Sequence, residues 1–189
     1  MTCLRSVLVA LSMTLFLITG ASAHAATFSY ADVVLDFYDS GAGPMAGPYG
    51  GTHPGGPGFP MPVSLDVVLG DDPGPTGYYD FLSLPTGSYV TVGFTDESII
   101  DGPGNDLFIA EVANNGETAS VFVSHNGVTF SLLGVATGGL TSYFDLNSIG
   151  FSMPVMAVKI QGLDTLGGSP GFDVVNVRVL NSGPPVPEP

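Results

Sequence analysis

Asp96, Asp101, Asn105 and Asp106 crowd the stretch Asp96-Glu97-Ser98-Ile99-Ile100-Asp101-Gly102-Pro103-Gly104-Asn105-Asp106. A hard cation such as Ca²⁺ takes about six to eight oxygens from carboxylates, amides and backbone carbonyls. A Gly-Pro-Gly turn can present carbonyls beside Asp101, Asn105 and Asp106. The same residue types also make plain turns, in which Asp and Asn bond their own backbone. Both chemistries are open to this loop, and its spacing is not that of an EF-hand. A second acid, Asp173, sits in the apolar run Gly171-Phe172-Asp173-Val174-Val175. If buried, it needs a partner: the same cation, Arg178 or Lys159. If it lies on an outward face, water suffices. The pair Asp71-Asp72 in Gly70-Asp71-Asp72-Pro73-Gly74 suits a cation or a solvated turn. Tyr78-Tyr79 offers two rings that stack on a sugar or anchor a loop.

Catalytic groups are sparse. The histidines are His24, His53 and His125, and the one cysteine is Cys3. Neither His53 nor His125 lies near a Gly-x-Ser-x-Gly elbow or on a His-Glu-x-x-His helix in the sequence. Glycoside hydrolysis needs two carboxyl groups at a set separation in space, which a sequence does not give. The chain has 3 basic and 17 acidic residues, a formal net charge of −14. Such a surface repels nucleic acid and anionic membranes and attracts cations. No phosphate-binding loop or basic patch is present.

The elements that must position these residues read as strands. Short apolar runs are bounded by Gly, Asp, Asn and Pro, the pattern of an all-β sandwich or barrel. Strand regions are expected at 28–38, 88–94, 107–112, 119–124, 128–133, 155–161 and 172–180. His125-Asn126-Gly127 marks a hairpin between two of them, because Asn and Gly tolerate positive φ. Residues 63–69 make a short strand or turn. Residues 41–62 are rich in Gly and Pro, and a long mobile loop without a regular ladder is expected there.

The two ends carry addresses. Arg5, the uncharged run from Val7 to Thr19, Gly20 and the small residues of Ala21-Ser22-Ala23-His24-Ala25-Ala26 follow the order of a secretory signal. The run is shorter than the roughly 20 residues of a membrane span. Cys3 precedes it, so the chain expected after cleavage has no thiol and no disulfide. At the other end, Val186-Pro187-Glu188-Pro189 resembles the start of the PEP-CTERM sorting tag of exported Gram-negative proteins. That resemblance implies export and sorting machinery as partners. It also implies a location at the cell surface, in the extracellular matrix or in the periplasm. The membrane helix that follows in the family is expected to be missing, through truncation or natural loss.

The body also resembles a family. The stretches Leu84–Phe94, Ile100–Ile109, Val121–Phe130 and Gly171–Val175, in that order, are similar to bacterial cell-surface β-sandwich domains that often carry this tag. The resemblance implies a discoidin or galactose-binding jelly roll. Glu111 after Ile109-Ala110, and His125 where an acid is common, depart from the pattern.

The expectation is an all-β, jelly-roll-type antiparallel β-sandwich over 27–180, after a signal at 1–26 and before a linker at 181–189. Its expected role is a non-enzymatic structural or binding protein of the cell surface or exopolysaccharide matrix, with extracellular polysaccharide as partner. A Ca²⁺-dependent carbohydrate-binding module is the alternative, and a polysaccharide hydrolase the third class. The candidate metal ligands are Asp96, Asp101, Asn105, Asp106 and Asp173. N-terminal sequencing of the exported protein should give a mature start at Ala26 or Thr27. A product that retains the 7–19 run would contradict the signal.

Overall fold

The computed structural model describes residues 28–54, 58–71, 79–112, 116–139 and 141–186. The expected signal segment 1–26, Asp72 to Tyr78, and Pro187, Glu188 and Pro189 lie outside the described residues. Among the described residues the strands are β1 (Ser29–Tyr30), β2 (Val33–Tyr38), β3 (Tyr49–His53), β4 (Met61–Pro62), β5 (Tyr79–Leu84), β6 (Tyr89–Gly93) and β7 (Ser98–Ile99). They continue with β8 (Leu107–Glu111), β9 (Thr118–Ser124), β10 (Ser131–Thr137), β11 (Thr141–Phe144), β12 (Ala157–Gly162), β13 (Phe172–Val179) and β14 (Ser182–Gly183).

These strands form an antiparallel β-sandwich. One sheet has the order β11-β8-β13-β5-β3-β4, with β1 added against β13. The other has the order β10-β9-β12-β6-β2. Side chains alternate between faces along a strand, so each strand sends every second residue inward. Leu82 and Leu84, Val90 and Val92, Leu107 and Ile109, Val121 and Val123, and Val158 and Ile160 meet in one core. The chain crosses between sheets at Ala31-Asp32, so the expected single strand over 28–38 is two. Ala31 N donates to Val177 O in one sheet, and Asp32 N donates to Gly93 O in the other.

Strand β13 keeps an apolar face inward by changing step. Phe172 and Val174 are core residues, and so are Val177 and Val179. Their spacing shifts by one because the register jumps between Val174↔Glu111 and Asn176↔Ala110. Val175 is the extra residue of a β-bulge, a device that re-aims the side chains after it.

The Gly/Pro stretch 41–62 departs from expectation. It holds β3, paired in register with β5 from Gly50↔Leu82 to His53↔Tyr79. Gly41, Gly47 and Gly58 turn the chain at positive φ, whereas Gly50 and Gly51 serve close approach. A Cβ on Gly50 would lie 1.9 Å from Phe81 O, so only glycine lets the strands meet there. Pro62 sits in β4, at the sheet edge, where a missing N–H is tolerated. The segment after 180 is likewise tied down: β14 pairs with β7, and Ser98 Oγ donates to Pro184 O at 2.8 Å. Val186 lines a shallow groove with His125, Met153 and Pro154. Residues 65–68 form a 3-10 turn, capped by Ser64 Oγ, which accepts from Asp66 N.

Candidate functional site

The structure sends the sequence-derived acids to two places. Asp101 and Asp106 come together with Asp145, with one carboxylate oxygen of each within 4.8 Å of the others. Asp145 is distant in sequence and was not among the expected ligands. Asp96 is exposed and outside this group, and Asn105 is exposed. Asp106 is fully buried, and protein donors already satisfy it. Its Oδ1 accepts from Gly102 N at 2.9 Å and Asn181 Nδ2 at 2.7 Å, and its Oδ2 accepts from Leu146 N at 2.9 Å. Asp145 Oδ1 caps the next 3-10 turn by accepting from Asn147 N. Asp106 thus ties the 101–104 turn, the 146–149 turn and the end of β13 into one junction.

Asp173 lies at the opposite end of β13, so the expected sharing of one cation with Asp101 and Asp106 does not hold. Nor does it face water or pair with Arg178 or Lys159. Its neighbours Phe172 and Val174 point inward, which sends Asp173 to the outer face of its sheet. There it is covered, at 4% exposure. Ser83, in register with it on β5, donates to Asp173 Oδ1 at 2.5 Å. Ser83 Oγ also lies 2.7 Å from Ser169 Oγ. The turn that carries Ser169 is fastened by Tyr49, whose hydroxyl donates to Pro170 O.

Asp173 and Ser169 form the floor of a cleft of about 330 Å³ also lined by His53, Phe59, Phe81, Val112 and Gly168. Phe59 stands at the rim, 48% exposed, with its ring edge-on to Phe81 at 6.0 Å. Two glycines make room for it. A Cβ on Gly51 would come within 2.8 Å of Phe59 Cβ, and one on Gly168 within 2.7 Å of its ring. Tyr79 shares the outward face of β5 with Phe81 and Ser83, and it pairs in register with His53. It therefore flanks the cleft, and Tyr78 is outside the described residues. Sequence reasoning passed over Phe59, Ser169 and His53 as parts of one site. The available signals were a lone aromatic between Gly58 and Pro60 and the run Gly167-Gly168-Ser169-Pro170-Gly171.

That run matches Gly-x-Ser-x-Gly, and Ser169, His53 and Asp173 share the cleft. The arrangement is not a nucleophile elbow. The turn leads into strand β13, whereas an elbow leads into a helix. A triad places imidazole between hydroxyl and carboxylate. Here Asp173 is bonded to a serine directly, and Ser169 is bonded to that same serine. Asp173 is the one carboxylate among the described lining residues, and a two-carboxylate hydrolase needs a second. The chemistry on offer is hydrogen bonding from an acid and a hydroxyl beside exposed ring surface.

Burial pushes the Asp173 carboxyl up to about 8, against the lowering effect of the Ser83 hydrogen bond and with added repulsion from Glu111. Near neutral pH the group is mainly a protonated acid, able to donate as well as accept.

No protein-family model and no curated protein matches this chain. Among solved structures it is similar to the CBM32 of AlyQ in complex with 4,5-unsaturated mannuronic acid. That match has 13% identity and a TM-score of 0.38, and covers 53% of this chain and 76% of that one. It is also similar to truncated AlyQ with CBM32 and alginate lyase domains. There the identity is 13% and the TM-score 0.39, with 58% of this chain and 28% of that one covered.

Two outcomes follow. Asp106→Ala strands three N–H donors and should cost roughly 3 kcal/mol, measured by denaturant unfolding, equally in Ca²⁺ and in chelator. A Ca²⁺-dependent rise in Tm that Asp106→Ala abolishes would instead assign the junction to a cation. For Asp173 the folded pKa lies above the unfolded one, so its contribution is greatest at low pH and is lost as pH rises towards 8. In chelator, wild-type stability relative to Asp173→Asn should fall between pH 4 and 8, by at most about 1.4 kcal/mol per pH unit. A difference that does not change with pH would contradict the buried acid.

Proposed function

We propose that this chain is an exported, non-enzymatic glycan-binding β-sandwich of the cell surface or exopolysaccharide matrix. The observation that carries the binding role is the cleft: an exposed phenylalanine ring beside a buried acid and a buried serine. Sugar rings present an apolar face and a rim of hydroxyls. An aromatic ring meets the first, and a group that both donates and accepts meets the second. Small-ligand sites combine apolar lining with a few placed polar groups in this way. The signal-like start and the Val-Pro-Glu-Pro motif support the location.

The cleft needs no metal for this role. Asp173 already has its hydroxyl partner, and the acidic junction at Asp106 lies at the other end of β13. A structural matrix role and glycan binding are compatible, since a matrix protein must hold polysaccharide.

Calorimetric titration against a panel of neutral, amino and uronic oligosaccharides tests the reading. At least one class should bind, and Phe59→Ala should weaken it about tenfold, or about 1.4 kcal/mol. The half-exposed ring contributes little to the core, so the Tm of the variant should stay close to wild type. Binding that survives Phe59→Ala unchanged would place the ligand elsewhere. Hydrolysis of any panel member, lost in Asp173→Ala, would make the chain an enzyme.

A further inference from the structure

The charges around the cleft select its ligand. We infer that the cleft takes an amino sugar, whose ammonium group faces Asp173, in preference to neutral or carboxylate-bearing sugars; this rests on the glycan-binding reading above.

No lysine or arginine lines the cleft among its described residues, while its floor is an acid. Behind that floor lies a second acid. Glu111 pairs in register with Val174, the neighbour of Asp173, and is 3% exposed. Gly139 N donates to Glu111 Oε2, and Oε1 is buried with no hydrogen-bond partner. Its charge is felt at Asp173, which it helps to keep protonated.

The basic groups beyond the signal segment are committed elsewhere. Lys159 lies on the outer face of the other sheet, 4.6 Å from the Tyr89 ring centre and 4.2 Å from that of Phe130. Arg178 lies towards the far end of β13, over Phe28 at 4.7 Å. The whole chain adds its net charge of −14.

A sugar carboxylate entering here would meet an acid already resisting ionisation, backed by another. An ammonium group would favour ionisation of Asp173 and pair with it, beside the exposed ring of Phe59, which attracts cations through its quadrupole. A cleft of about 330 Å³ is at the small end for ligand sites, which suits one sugar unit of a chain rather than a long segment.

The test is calorimetric titration of the full chain, at one pH and low salt, with four probes. They are a fully de-N-acetylated glucosamine tetramer, its N-acetylated counterpart, a uronic acid tetramer, and spermidine, which carries ammonium groups without a sugar. The glucosamine tetramer should bind about tenfold tighter than the acetylated one, the uronic acid tetramer weakest, and spermidine more weakly than the glucosamine tetramer. Asp173→Asn should abolish the preference for the de-N-acetylated tetramer over its acetylated counterpart. If that variant does not fold, wild-type protein still decides the matter, because the preference should shrink at about 1 M salt, where charges are screened. Equal or tighter binding of the acetylated or uronic tetramer would overturn the inference and leave glycan binding standing. Spermidine binding as tightly as the glucosamine tetramer would overturn the sugar part. No binding by any sugar would overturn the glycan-binding reading itself.

Discussion

Strand β13 must keep apolar side chains in the interior along its whole length, and the rest of the molecule depends on how it does so. It is bordered by β8, β5 and β1 in one sheet, and its inward residues face the core of both. The bulge at Val175 lets Phe172, Val174, Val177 and Val179 all reach that core. The same step fixes what faces outward. Before the bulge the outward residue is Asp173, opposite Ser83, and after it Arg178 comes to lie against Phe28 and Phe108. One extra residue thus separates an acidic end of the strand from a cationic, aromatic one.

Burying an acid on an outer sheet face is costly unless it is bonded and covered. The cover here comes from the turn 167–171 and from the Gly/Pro segment before β5. Tyr49 and Ser83 hold the turn down, and Phe59 closes the rim over Gly51 and Gly168. The acid remains protonated chiefly because it is buried, and repulsion from Glu111 adds to this. A site with this balance is poised to receive a donor or a cation. The far end of β13 shows the contrasting solution. There Asp106 is buried too, but three protein donors surround it, and it acts as a brace.

Much of the scaffold was legible in the sequence. Alternation at 88–94 and the apolar closing run at 172–180 gave strands where β6 and β13 stand, and the Asn126-Gly127 signal placed the β9–β10 hairpin, although β10 begins at Ser131 rather than at Val128. The antiparallel sandwich follows from those runs and their turn spacing. What was not legible has a common cause: partners brought together from distant segments. Gly50 and Gly51 looked like turn residues, whereas they are gaps that β5 and Phe59 fill. Asp145 joins Asp101 and Asp106 only because β11 pairs with β8. The partner of Asp173 is Ser83, and nothing local to either residue announces the pair. The cleft is likewise assembled from separate stretches: His53, Phe59, Phe81, Val112, the turn that carries Gly168 and Ser169, and Asp173.

The measurement that tests the account most directly is residue-resolved NMR during titration with the tightest-binding oligosaccharide. Amide shifts should concentrate at His53, Phe59, Gly168, Ser169 and Asp173, with Asp101, Asp106 and the Lys159 face unmoved. Shifts centred on the Asp106 junction or on Lys159, with the cleft silent, would contradict it.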